Sequence, residues 1–231
     1  MLTLISQRGV KQGYHFKDAL EQNYVDYLSK FGLLLIPMPN FSNLVSEYFR
    51  QLSIERVILS GGEDVYPSNY HPEVLSETIS GKEYYPQRDQ TEALMLELAL
   101  KQNIPVLGIC RGMQIINAYF GGKISQLDGI ENVKSHVNIE HPISLEGVSD
   151  ITNQKMAMVN SYHGCGVLSK DLAPTLSVFA QGLDGVIEGV YHPNFPVAGL
   201  QWHPERESLD LSFNEAIINK FKEGKLFWRR K

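Results

Sequence analysis

Residues 104–122 carry a short apolar run, Ile-Pro-Val-Leu-Gly-Ile, that breaks at Cys110 and continues as a helical stretch from Arg111 to Phe120, closed by Gly121-Gly122. No other segment constrains the fold as much. A brief, continuously apolar run predicts a strand buried on both faces, and such strands belong to parallel sheets covered by helices. Gly108 and Gly112 flank Cys110 at i−2 and i+2, where a tight strand-to-helix elbow leaves little room for side chains. An elbow of this kind exposes its central residue at the carboxyl end of the sheet, where doubly wound folds place their ligands.

The rest of the chain alternates in the same way. Residues 2–5, 33–36 and 56–59 read as strands, the second stopped by Pro37 and Pro39. Leu20, Tyr24, Tyr27, Leu28 and Phe31 recur at helical spacing and predict a helix over residues 18–31, closed by Gly32. Residues 41–52 and 89–102 are also helical in pattern. From about residue 133 strands dominate, at 156–159, 175–180, 185–191 and 197–201, before a helix near 211–221 and a basic tail at 228–231. The order predicts an α/β fold, a three-layer, doubly wound, mostly parallel sheet flanked by helices. Without internal repeat or linker, residues 1–231 read as a single domain.

Composition narrows the function classes. Lys and Arg number 21 against 26 Asp and Glu, a net charge of −5, so no basic excess suggests nucleic acid as a partner. The two cysteines, Cys110 and Cys165, are too few for a disulfide framework and fit a reducing, cytoplasmic setting. The first residues lack the basic region and apolar core of a signal peptide. The longest apolar stretches, 31–38 and 104–110, fall short of the ~20 residues of a membrane span.

Cys110 at the elbow is a candidate nucleophile, its thiolate favoured by the helix N-terminus; the alternative is a buried structural thiol. A thiol nucleophile needs a base oriented by a third group. Among histidines 15, 71, 136, 141, 163, 192 and 203, His203 stands out, because Gln201-Trp202-His203-Pro204-Glu205 ends an apolar strand at the same sheet edge. Glu205 is placed to orient it; a surface His–Glu pair or half of a metal site are the alternatives. His-x3-His and paired-Cys spacings are lacking, so no metal is expected. Ser60-Gly61-Gly62 follows a buried strand and can aim the Gly62 N–H at an oxyanion, with the Arg111 N–H as the second donor. Alone, a Gly-Gly pair is equally well just a turn.

Taken in order, Ser60-Gly61-Gly62, then 108–114 (Gly-Ile-Cys-Arg-Gly-Met-Gln), then Gln201 to Glu205 resemble the class I glutamine amidotransferase superfamily over nearly the whole chain. Asn23-Tyr24, Pro37-Met38-Pro39, Arg88-Asp89 and Val159-Asn160-Ser161-Tyr162-His163-Gly164 are similar to its free-standing γ-glutamyl-γ-aminobutyrate hydrolase group. The resemblance implies a flavodoxin-like sheet, a Cys110–His203–Glu205 triad, oxyanion donors Gly62 and Arg111, and no cofactor. It further implies that Gln114 and the backbone of Ser161, Tyr162 and His163 hold the glutamyl α-amino and α-carboxylate groups. A homodimer is common for such domains.

The expected activity is hydrolysis of a γ-glutamyl amide through a thioester on Cys110. Ile5-Ser6-Gln7-Arg8 resembles a bacterial subgroup acting on a γ-glutamyl cytidine-diphosphate amidate in capsule phosphoramidate synthesis. Polyamine-derived amines are the other candidates. Two departures bear on substrate: Arg111-Gly112-Met113 stands where synthase-associated glutaminases carry Leu-Gly-His, and Cys165 stands where many relatives show Gln or His. Cys165 is expected to be a buried bystander rather than a pocket wall. The alternatives are a glutaminase subunit that passes ammonia to a separate synthetase and a catalytically silent binding module. The amine half is expected to meet loops 63–88 and 122–141, with Glu63, Asp64, Arg88 and Asp89 offering charges of either sign.

Overall fold

The computed structural model describes residues 1–69 and 84–226. In chain order it forms β1 (Leu2–Ser6), the hairpin β2 (Arg8–Gln12) and β3 (His15–Ala19), α1 (Gln22–Ser29), β4 (Leu34–Met38), α2 (Ser42–Gln51) and β5 (Arg56–Leu59). Then come α3 (Pro86–Lys101), β6 (Val106–Ile109), α4 (Arg111–Tyr119), β7 (Ser125–Gln126), β8 (Val137–Leu145) and β9 (Met156–Tyr162). The last elements are β10 (Cys165–Leu168), β11 (Ser177–Gly182), β12 (Val186–Tyr191), β13 (Val197–Leu200) and α5 (Leu211–Glu223).

The main sheet runs β4-β1-β5-β6-β13-β12-β11-β8-β9. Its first five strands are mutually parallel, and β12, β11, β8 and β9 extend it antiparallel. This is a mostly parallel central sheet with flanking helices. Successive residues of the central strands feed opposite faces, as the pleat requires. Leu4, Val57, Leu59 and Val106 pack with Val45, Phe49, Met95 and Met113 of α2, α3 and α4. Ile5, Ile58, Leu107 and Ile109 pack with Leu28, Ile217 and Phe221 of α1 and α5. Each fully buried aliphatic chain there contributes about 1.5–3 kcal/mol. Trp202 closes the second face, stacked on Phe213 and donating from Nε1 to Asn214 Oδ1 at 2.8 Å. No helix among the described residues is long and apolar enough to cross a membrane.

Two local expectations fail for physical reasons. The helix predicted from residue 18 begins at Gln22, because Asp18 and Ala19 pair with Gly9 and Arg8 in an antiparallel hairpin. That hairpin's second strand is almost wholly exposed, so it carries no apolar alternation to read. Pro37 does not stop β4, which runs to Met38. Among the described residues β4 pairs only with β1, and an edge strand tolerates a missing N–H.

Candidate active site

Cys110 sits between β6 and α4 with φ 53° and ψ −106°, a strained conformation for a residue with a side chain. The strain is held from both sides. Cys110 N–H donates to Leu200 O at 2.7 Å, and the two flanking glycines have no space for a Cβ. At Gly108 it would lie 2.4 Å from Gly112 C and O; at Gly112, 2.0 Å from Leu59 O. Only glycine lets α4 pack directly on the ends of β5 and β6.

Ala198, Gly199 and Leu200 of β13 pair with Leu107, Gly108 and Ile109 of β6, so His203 leaves the sheet beside Cys110 although far away in sequence. The imidazole shares the turn with Cys110, a Cβ on Gly61 lying 2.8 Å from His203 Cε1 and 3.7 Å from Cys110 Cβ, and its Nδ1 lies 2.6 Å from Glu205 Oε1. Burial alone would lower the His203 pKa, but the charges of Cys110 and Glu205 outweigh it and hold the imidazolium up to about 10. Asn160 fixes the backbone here, its Oδ1 accepting from His203 N–H at 2.9 Å and its Nδ2 donating to His203 O at 2.8 Å. The structure thus brings together the three residues expected to act as nucleophile, base and orienter.

The turn after β5 approaches from the other side. Gly61 N–H donates to Tyr24 Oη at 2.8 Å, and a Cβ on Gly61 would lie 2.8 Å from His203 Cε1. Gly62 has φ 146°, and a Cβ there would lie 2.3 Å from Arg88 Nη1. Arg88 clamps this turn, its Nη2 donating to Ser60 O at 2.7 Å and Gly61 O at 3.0 Å. Arg111 occupies the first position of α4, where the N–H has no intrahelical acceptor. Its side chain is turned away into Asp89 and Glu92.

Arg88 and Asp89 do not offer charge to a substrate, contrary to the expectation for the amine half. Both are buried, in a network in which Arg88 pairs with Glu63 at 3.0 Å and Glu92 at 2.9 Å while Arg111 pairs with Glu92 and Asp89. Burial pushes Asp89 up despite Arg111, whereas Arg111 and Arg88 outweigh burial and hold Glu92 low. Asp64 pairs with Tyr84 in a short bridge, and residues 70–83 of the expected amine loop lie outside the described residues. Of the loop 122–141, part becomes β7 and β8.

Of the four expected glutamyl contacts, Gln114 lies on α4, Ser161 and Tyr162 on β9, and His163 just beyond it. Alternate residues face opposite ways, so Asn160 and Tyr162 reach His203, the Tyr162 ring lying edge-on to the imidazole at 5.7 Å and beneath the Arg206 guanidinium at 4.6 Å. Ser161 and His163 turn inward: Ser161 Oγ donates to His136 O at 2.7 Å, and His163 N–H donates to the same carbonyl at 2.9 Å. Gln114 Nε2 donates to Cys165 O at 2.9 Å and Gln201 Oε1 at 3.3 Å, and Gln201 Nε2 lies 3.7 Å from Cys110 Sγ. Cys165 is buried in the core.

Tyr24, Asn160 and Gln201 received no role from sequence, and Arg88 was expected at the amine half rather than on the oxyanion turn, since the contacts of all four arise only in the fold. All four stand in the segments that carry the resemblance, the one signal that pointed to them.

Residues 4–205 match the model of the Peptidase C26 family. The chain belongs to that family. Among its relatives, the γ-glutamyl-CDP-amidate hydrolase of Campylobacter jejuni is 31% identical over 172 residues, covering 74% of this chain and 72% of that protein. The γ-glutamyl-γ-aminobutyrate hydrolase PuuD of Escherichia coli K12 is 27% identical over 227 residues, covering 90% and 86%. A crystal structure of a glutamine amidotransferase from Thermotoga maritima superposes with a TM-score of 0.60 at 17% identity, covering 96% of this chain and 82% of that one. At that identity the structural match speaks for the fold alone.

Proposed function

We propose that this Peptidase C26 member is a free-standing γ-glutamyl amide hydrolase, releasing glutamate and an amine. The observation that carries the reading is the line from Cys110 through His203 to Glu205, with the 2.6 Å bond at its outer end and the elbow strain at its inner end. The Cys110 thiolate attacks the γ-carbonyl while the N–H groups of Gly62 and Arg111 receive the oxyanion. The C–N bond breaks as the His203 imidazolium gives its proton to the leaving nitrogen. His203, now neutral, takes a proton from water, whose oxygen attacks the γ-glutamyl thioester; glutamate leaves and Cys110 departs as thiolate beside a restored imidazolium.

Glu205 holds the ring and supports its charge, and Tyr24 and Arg88 hold the oxyanion turn. The relatives named above act on γ-glutamyl conjugates, and the same substrate class suits this chain, as does a cytoplasmic setting for two free cysteines. The exposed Tyr162 ring beside His203, covered by an Arg206 guanidinium that also pairs with Glu21 at 3.1 Å, supports an amine half that meets a cation on an aromatic face.

The test is kcat/KM for the isolated protein on γ-glutamyl-γ-aminobutyrate, on a γ-glutamyl nucleotide amidate and on glutamine. A conjugate cleaved at least tenfold better than glutamine supports the reading, because binding energy from the remote half is used at the carbonyl. Glutaminase activity that rises only with a second protein overturns it in favour of an amidotransferase subunit.

A further inference from the structure

A second group of histidines lies in the antiparallel half of the sheet. His136 precedes β8, His141 lies on β8, His163 lies in the β9–β10 turn, and Glu188 lies on β12. His136, His163 and Glu188 are all at least nine-tenths buried. The rings of His141 and His163 both pack on His136, at centroid distances of 4.6 and 4.9 Å. His136 Nδ1, His141 Nε2, His163 Nε2 and both oxygens of Glu188 are buried and lack a hydrogen-bond partner among the described residues. Five orphan polar atoms converging on one point carry a desolvation cost that proteins rarely leave uncompensated.

The outward bonds fix where the protons sit. His163 Nδ1 lies 3.0 Å from Cys165 O, and a carbonyl only accepts, so Nδ1 carries the hydrogen. His136 Nε2 lies 2.9 Å from the Asp184 carboxylate, which likewise claims the hydrogen. A ring that carries its one hydrogen on the outer nitrogen presents at the inner nitrogen a bare lone pair aimed at a carboxylate. Lone pairs facing an anion repel unless a cation stands between them.

The spacing says which kind of cation. The inner nitrogens of His136, His141 and His163 stand 3.4, 3.7 and 3.7 Å from Glu188 Oε1. Imidazolium N–H groups donating to that oxygen would close to about 2.7–3.2 Å. A tetrahedral ion with bonds of about 2.0–2.1 Å instead sets its ligands about 3.3–3.4 Å apart, close to what is found. One ligand atom each of His136, His141 and Glu188 lies within 4.8 Å of the others, and His163 stands beside that group. Asp184 on His136, and the Cys165 carbonyl on His163, are the outer partners that orient histidine ligands toward a metal.

We propose that His136, His141 and Glu188, with His163 facing Glu188 Oε1 from 3.7 Å as the remaining donor, form a structural site for one four-coordinate divalent ion of the zinc class. The site ties β8, the β9–β10 turn and β12 together. It bears on the catalytic wall at one remove, because Cys165 O, the acceptor of His163 Nδ1, is also the acceptor of Gln114 Nε2. The expectation of no metal rested on local spacing, which cannot register four ligands spread over residues 136–188.

The experiment uses the full chain with Cys110→Ser, which removes the competing thiolate, stripped with chelator and titrated with Zn²⁺ and with Co²⁺. One equivalent of Zn²⁺ bound, a raised Tm, and the intense visible absorption of four-coordinate Co²⁺ are the expected results. His141→Ala, at the least buried ligand, and Glu188→Gln should each weaken Zn²⁺ binding at least tenfold. Binding well below one equivalent at saturation, a pale six-coordinate Co²⁺ spectrum, or unchanged affinity in folded His141→Ala would each overturn the proposal. So would ¹⁵N shifts showing protons on the inner nitrogens in the presence of Zn²⁺.

Discussion

Among the described residues, two buried histidine–glutamate groups stand one in each half of the sheet, and they are built in opposite ways. At the parallel centre, His203 and Glu205 close to 2.6 Å, and Asn160 secures the backbone on both sides of the ring. In the antiparallel extension, three imidazoles stand off Glu188 at 3.4–3.7 Å with their inner nitrogens unbonded. A short His–Glu bond stores a proton and orients a base. A wide one surrounded by lone pairs leaves room for an ion. Distance and proton placement, not residue type, separate a proton-transfer group from a ligand set.

The largest effects expected are at Cys110 and His203. Cys110→Ala and His203→Ala should each lower kcat by about 10⁴-fold or more, with the double variant no worse than the single ones, as for residues acting as one unit. Steady-state kinetics on the best conjugate, with circular dichroism for the fold, checks this. Additive losses would break the assignment of one shared pathway.

Glu205→Gln comes next, at about 10²–10³-fold in kcat, because it removes orientation and charge support but not the base. It also sharpens the contrast through pH. His203 is raised from 6.5 to about 10, so its imidazolium persists through neutral pH and is lost as pH rises through 10. Alkylation of Cys110 by iodoacetamide should change rate near pH 10, and that transition should move to lower pH in Glu205→Gln. A transition that stays in place would show that Glu205 does not support the charge.

Tyr24→Phe is smaller again. It deletes the acceptor of the Gly61 N–H, worth roughly 1 kcal/mol, or about a fivefold to tenfold loss in kcat with KM little changed. Glu92→Gln acts on stability instead: it uncouples Arg88 and Arg111 in the buried network, and urea unfolding should register a loss of about 3–5 kcal/mol. A Glu92→Gln variant as stable as the parent would remove the network from the support of the oxyanion turn.

The parallel half was legible in the sequence because its information is local. Residues 106–114 announce strand, elbow and helix within nine positions, and the gap-free packing of Gly108 and Gly112 against backbone explains why glycine stands there. His203 was legible because its strand, β13, is as continuously apolar as β6. The antiparallel half was not, since β8 is half-exposed and carries no clear period. Its pairing of His141 with Val159 and of Val137 with Tyr162 is a property of register, which a one-residue slip would invert. The split of Ser161 and His163 from Tyr162 follows from that same pleat.

Rapid-quench mass spectrometry of the protein mixed with a γ-glutamyl conjugate tests the central claim most directly. A γ-glutamyl adduct should appear on the peptide holding Cys110, accumulate in Glu205→Gln if water attack slows more than acylation, and be absent from Cys165. Turnover of the conjugate with no adduct on Cys110, or turnover that survives Cys110→Ala, would contradict the thioester mechanism.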